Sequence, residues 1–315
     1  MRPFTPGFNE LFKMSRRLAS AALAAPAWQM WHGRRRNAAC QGPFAFRFKQ
    51  DTEHLLRQNK VHMEPELLDL RQKVQDLVNH VDQLACEDGA KIPDAQEFSD
   101  VRRAYMKFIQ ALKAVNDSVL GSKPLSSTCG WAPVLLRWRY YVCSLFSWGL
   151  LTEDAVQEAG ALLRSAGVQG LVDPLAGSGW HARLWHEVAR LDTVALDSYS
   201  VRPVAWHQVL VVTDSRTAEW GLPAGTDLSS WALLLSWPPH SPETVGLDLL
   251  LAWGGNFLVY VGEKADDDDM GLTGGRALLE ALERDWEPVQ CWSIPCWSAA
   301  QPSLQREEGP ALQIL

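Results

Sequence analysis

Two short strings hold the residues that could do chemistry. The first, Leu171 to Trp180, reads LVDPLAGSGW; the second, Leu233 to His240, reads LLLSWPPH. In the first, an apolar run delivers Asp173 to a turn containing Gly177 and Gly179, and a helix is expected to follow. Glycines serve where the chain takes positive φ or where a ligand must touch backbone. The first turn of the following helix would add free N–H groups and the positive end of its dipole. Asp197 lies about 20 residues past Gly177, the spacing at which an acid accepts both hydroxyls of a ribose. Asp214, at the end of the next apolar run, is placed to face an adenine amino group. In the second string, Ser236, Trp237, Pro238 and Pro239 form a rigid, non-helical lip that would wall such a site.

Proton transfer has few candidates. His240, directly after the Pro-Pro step, could accept a proton from a hydroxyl or amine near neutral pH, and a solvent-facing loop histidine is the plain alternative. His181 opens the helix after the glycine turn, where a positive dipole end disfavours protonation, so a neutral packing or capping role is expected. Trp237 cannot accept a hydrogen bond through its indole, whose N–H only donates. Asp266 to Asp269 read as a solvated acidic loop. Cys40, Cys86, Cys129, Cys143, Cys291 and Cys296 form no C-x-x-C pair and have no accompanying histidine cluster, so no metal site is expected. Trp292 and Trp297 are read as packing residues with a pocket-lining alternative.

The elements that must position these residues follow from periodicity. Short apolar strands are expected at 170–173, 193–197, 209–213, 232–236, 257–261 and 289–294. Helices are expected at 133–146, 153–165, 181–189, 243–252 and 275–285. Alternating strands and helices imply right-handed crossovers and a mostly parallel sheet, the Rossmann-like α/β class. Such sheets bind ligands at the carboxyl ends of their strands, where both strings lie.

Upstream, Leu67, Leu70, Val74, Leu77, Val81 and Leu84 form one helical stripe after Pro65, and Phe98, Val101, Tyr105, Phe108, Leu112, Val115 and Val119 form a second. Asp94 and Glu97 have capping-box spacing. The two helices are expected to fold as an antiparallel hairpin, with the stripes packing on each other and on the next domain; a partner or self-association surface over 65–119 is the functional alternative. The domain reading is therefore a basic segment at 1–50, the hairpin region at 51–120, a Ser/Pro/Gly-rich linker at 121–130, and the α/β domain at 131–315.

The chain has 315 residues, a net charge of −7 and 47 % hydrophobic residues, enough for a sizeable core and against a broad nucleic-acid footprint. Residues 1–50 hold Arg2, Arg16, Arg17, Arg34, Arg35, Arg36 and Arg47 against the single acid Glu10. That composition fits an organelle transit segment, mitochondrial or plastid, or a basic tail on an intracellular, otherwise cytoplasmic protein. No stretch reaches the ~20 apolar residues of a membrane span.

VDPLAGSG resembles motif I of class I S-adenosylmethionine-dependent methyltransferases, most of all the D-P-F-x-G-S-G form in amino-methyltransferases of nucleic acids. SWPPH stands where those enzymes carry (D/N/S)-P-P-(Y/F/W), and FSWGLLTEDAV, FLVYVGE, GLTGG and IPCW extend the resemblance over about Ser144 to Ser298. It implies that S-adenosylmethionine is the cofactor. Asp173, Gly177 and Gly179 would cradle its methionine part, Asp197 would bind its ribose, Asp214 would lie near its adenine, and Trp148 would be an aromatic lid. Ser236, Trp237, Pro238 and Pro239 would line the substrate pocket, with His240 where an aromatic stacks on a base. The chain departs from the pattern at Leu175, where the general loop has glycine, and at Trp237, where the family has its polar acceptor. The substrate class thus stays open between a small molecule and a protein side chain. A catalytically silent scaffold that engages a partner through the hairpin is the second reading. A nicotinamide-dependent oxidoreductase is the third, and the loop lacks its G-x-G-x-x-G spacing.

Overall fold

The computed structural model describes residues 44–59, 64–85, 92–122, 132–198, 204–212, 220–239, 244–262, 273–297 and 311–315. At its centre is a seven-stranded sheet: β1 (Gly170–Asp173), β2 (Asp192–Asp197), β3 (Val209–Val211), β4 (Trp231–Ser236), β5 (Phe257–Gly262), β6 (Gln290–Ser293) and β7 (Ala311–Ile314). The spatial order is β3-β2-β1-β4-β5-β7-β6. β1 to β5 run parallel, and β7 is antiparallel to both β5 and β6. This is a Rossmann-like α/β fold. The order reverses at β1, whose neighbours are β2 on one side and β4 on the other, and sheets of this class bind ligands in a crevice at such a point, here between the loops leaving β1 and β4.

The central strands are buried on both faces: every residue of β1, and all but the first of β4 and β5, is buried. That explains why they read as continuous apolar runs rather than alternating ones. Helices cover the faces. α5 (Glu153–Ser165) starts at Thr152, whose hydroxyl accepts from the Ala155 N–H, and buries Ala155, Val156, Ala159 and Leu163. α7 (Val245–Ala252) and α8 (Arg276–Asp285) bury Leu249, Leu250, Leu278 and Leu282 with β4 and β5 residues on the other face.

The hairpin lies upstream as α2 (Pro65–Leu84) and α3 (Ala95–Ser122). The capping box is present: the Asp94 N–H donates to Glu97 Oε2 at 2.8 Å, and the Glu97 N–H donates back to Asp94 Oδ1 at 2.8 Å. Leu67, Leu70, Val74, Leu77 and Val81 of the first stripe are buried and Leu84 partly so; Phe98, Val101, Tyr105, Phe108, Leu112 and Val115 of the second are buried, and the side chain of Val119 lies outside the described residues. They share one core with α4 (Ala132–Leu145) and with Trp180, Trp206 and Trp297 of the α/β part. Phe44–Leu315 accordingly form one compact unit.

Several expectations need revision. Helix α1 (Phe44–Gln58) starts inside the segment assigned to the basic tail. Asp82 accepts the first N–H groups of this helix, from Phe44 at 2.9 Å and Ala45 at 2.6 Å. Phe48 and Thr52 are buried, and Asp51 takes hydrogen bonds from Arg137 and from the Tyr141 hydroxyl of α4. The expected helix 181–189 is a five-residue α run, α6 (Trp180–Leu184), continued as a π turn over Trp185–Ala189 and ended by Arg190 at φ 56°. β7 had no counterpart in the sequence reading. Residues 1–43 and most of the expected linker lie outside the described residues. No helix among the described residues is long and apolar enough to cross a membrane.

Candidate functional site

The loop after β1 is held by the end of β2. The Ala176 N–H donates to the Leu196 carbonyl at 3.0 Å, and the Gly177 N–H donates to Asp197 Oδ2 at 2.7 Å. Gly177 and Gly179 both take positive φ, 58° and 78°. A Cβ on Gly179 would come within 3.0 Å of the His207 backbone nitrogen, so this glycine is required by conformation and by protein packing. Asp173, at the end of β1, is 2 % exposed, and the Leu175 N–H donates to its Oδ1 at 3.3 Å. Burial pushes its carboxyl up to about 8; the Leu175 N–H opposes the shift and the nearby Asp197 carboxylate adds to it. Asp173, Gly177, Gly179 and Asp197 are therefore brought together at the carboxyl ends of β1 and β2.

The β4 end forms the other side of the crevice. Ser236 is buried, and its Oγ has no hydrogen-bond partner among the described residues. Trp237 follows at φ 50°, a left-handed conformation that is an outlier for a bulky residue. Its N–H donates to the Val261 carbonyl at 2.7 Å, and the Gly274 N–H donates to the Pro238 carbonyl at 2.7 Å, so the lip is tied to β5 and to the segment before α8. Pro238 is buried and Pro239 partly buried. His240 and Asp214 lie outside the described residues, as do Asp266 to Asp269.

A segment absent from the β-strand reading completes the crevice. Phe146–Leu151, between α4 and α5, runs across the ends of β4 and β5. Its Gly149 sits so close that a Cβ there would meet Val261 Cγ1 at 2.8 Å, Ser236 Oγ at 3.3 Å and His181 Cε1 at 3.4 Å. Side chains from the rest of the site hold its carbonyls. Ser178 Oγ donates to Phe146 O at 2.7 Å and His181 Nε2 to Gly149 O at 3.0 Å, while Trp206 Nε1 donates to Leu145 O, at the end of α4, at 2.8 Å. Because a carbonyl only accepts, His181 carries its proton on Nε2. Burial lowers its pKa to about 4, partly offset by the Gly149 carbonyl. Burial thus keeps the ring neutral, as the sequence reading expected of this residue. Trp148 stays 44 % exposed, with the Arg139 guanidinium 5.4 Å from its ring centroid.

Ser178, Trp206 and Gly149 were not singled out in the sequence. Gly149 carried a signal, a glycine between aromatic and leucine residues where backbone must pass closely; Trp206 carried none. Trp297 lies in the shared core, 5.6 Å from the Phe108 ring, and Trp292 Nε1 donates to Glu158 at 2.8 Å. No cluster of metal-ligating side chains exists among the described residues, and Cys143, Cys291 and Cys296 are free thiols. Comparison of the chain with family models, with curated proteins and with solved structures finds no match in any of the three.

Proposed function

We propose that this chain binds S-adenosylmethionine in the crevice between the β1 and β4 loops and belongs to the methyltransferase-like class that VDPLAGSG resembles. The observation that carries the reading is the Gly177 loop, bonded to the Asp197 carboxylate beside the buried Asp173, at the point where strand order reverses. A carboxylate bonded to the glycine loop at the end of β2 is the kind of group that accepts a ribose diol. The residues present therefore fit the adenosyl side of such a cofactor. When bound, S-adenosylmethionine supplies a methyl group on a positively charged sulfur. This chain's own contribution would be to orient that group and exclude water around it.

The acceptor side fits less well, and it favours a second reading, a binding protein without turnover. The family's acceptor position is Trp237, whose backbone N–H is engaged by the Val261 carbonyl and whose indole N–H only donates. The hairpin stripes are consumed in the chain's own core, so a partner would have to use other surfaces.

Calorimetric titration of the full chain with S-adenosylhomocysteine tests the first reading. Saturable binding that is lost in Asp197→Ala is expected. No binding at millimolar ligand, or preferential binding of a nicotinamide dinucleotide, overturns it. Binding without labelled methyl transfer to any component of a cell extract favours the second.

A further inference from the structure

The connector 204–208, between β2 and β3, grips the glycine loop. The Trp206 N–H donates to the Ser178 carbonyl at 2.8 Å, and a Cβ on Gly179 would meet His207 Cβ at 2.9 Å. His207 is partly buried at this junction. Its Nδ1 lies 3.0 Å from the Gln208 carbonyl and its Nε2 3.2 Å from Thr193 Oγ1 of β2. A carbonyl only accepts, so in the neutral ring Nδ1 donates and Nε2 accepts the Thr193 hydroxyl. The π turn after α6 sets a second imidazole beside the first. His186 Nδ1 donates to the Leu191 carbonyl at 3.3 Å, and the two ring centroids are 6.4 Å apart. Positive charge already gathers here. Arg183 of α6 and Arg190 at the end of the π turn share the Glu187 carboxylate, at 2.9 Å and 3.8 Å. Asp192, just before Thr193, is exposed, and the described residues of the connector and of β3 carry no acid. Burial holds the His207 pKa below the ordinary histidine range; the Gln208 carbonyl opposes that shift, and His186 and Arg183 add to it.

We propose that His186 and His207 form a pH-sensitive clasp: with both rings neutral the connector holds the glycine loop, and as the pair takes up protons below neutral pH, repulsion between the rings and from Arg183 opens the connector and frees the loop. His186 is exposed, so solvent screens its charge, and His207 is the more sensitive member. The sign follows from linkage. In the open connector His207 titrates near its ordinary value of about 6.5, so the open state binds the extra proton first. Opening is then favoured by up to about tenfold for each pH unit below that value. The clasp acts on the loop itself and does not depend on which ligand the crevice takes.

Amide hydrogen exchange on the ligand-free full chain tests it, at about pH 7.5 and about pH 5.5, after correction for the intrinsic exchange rate. The Trp206 and 176–179 amides report the clasp, and the β1 amides report unfolding of the whole. In the parent, protection at Trp206 and 176–179 is expected to fall about three- to tenfold at the lower pH, with β1 unchanged. His207→Gln keeps an acceptor for the Thr193 hydroxyl but takes up no proton, so its protection should fall less than about twofold. His186→Ala removes the neighbouring charge and should show a smaller fall than the parent. Protection that does not change with pH overturns the proposal. So does a fall as large in His207→Gln or in His186→Ala as in the parent. A fall shared equally by the β1 amides also overturns it, because the titrating group would then act on the whole fold. Should His207→Gln not fold, His186→Ala, at an exposed position, carries the same comparison.

Discussion

At the scale of single residues, two buried ionisable groups pull the pH dependence of stability in opposite directions. Asp173 has its pKa raised to about 8 by burial, so between about pH 4 and pH 8 the folded chain holds a proton that the unfolded chain has lost. Its contribution is full below about pH 4 and is lost as pH rises through 8. His181, lowered to about 4 by burial, behaves oppositely: its contribution is full above about pH 6.5 and is lost as pH falls towards 4. Asp173→Asn, which mimics the protonated acid, should therefore raise the melting temperature at pH 8 relative to pH 5 when each is compared with the parent. A shift that is the same at both pH values would refute the assignment. Trp237 makes a separate prediction. A bulky side chain at φ 50° costs about 1–2 kcal/mol, and asparagine tolerates that region better. Trp237→Asn should raise the melting temperature by about 2–4 °C per kcal/mol recovered. A lowered melting temperature would mean that indole packing outweighs the backbone strain. Neither feature could be read from the sequence. Left-handed backbone announces itself through glycine or asparagine, and a carboxyl's burial depends on what the fold puts around it.

At the scale of elements, the strands that position the candidate site were legible, as were the edge strands β3 and β6, but β7, which joins β6 to β5, was not. Gly170–Asp173, Trp231–Ser236 and Phe257–Gly262 are buried on both faces, so their sequences are unbroken apolar runs with clear ends. Ala311–Ile314 is as buried as they are, but its four residues resemble any short apolar stretch. It is a strand because β5 and β6 flank it, a pairing between distant parts of the chain. The helix Phe44–Gln58 was hidden differently. Few of its residues are buried, and what fixes its start is Asp82, distant in sequence. The close passage of Phe146–Leu151 over β5 leads to a stability prediction. Gly149→Ala places a methyl 2.8 Å from Val261 Cγ1 and should destabilise by about 1–3 kcal/mol, measured by urea unfolding. Val261→Ala in the same chain should recover part of the loss, and an additive double mutant would count against the contact.

At the scale of the whole molecule, the hairpin and the α/β part share their largest aromatic cluster. Trp180, the residue after the glycine loop, lies 5.3 Å from Phe98, 4.9 Å from Tyr105, 4.8 Å from Phe146 and 5.2 Å from Trp206 between ring centroids. Phe146 and Trp206 stack at 5.2 Å. Removing Phe98 should therefore cost about 3–5 kcal/mol, and calorimetry should show hairpin and sheet melting in one transition. A separate low-temperature transition for the hairpin would contradict a common core. The sequence reading drew a domain boundary between these parts yet expected the stripes to pack on the next domain, as they do; it does not show which stripe meets which element. The shared cluster also bears on genetics. A library of random variants screened for loss of the proposed ligand would return changes at Phe98 and Tyr105 alongside those at Asp197, although the former lie on the hairpin. Inactivating alleles in this chain would thus outline the support of the crevice as much as the crevice itself, and only variants that stay folded would separate the two.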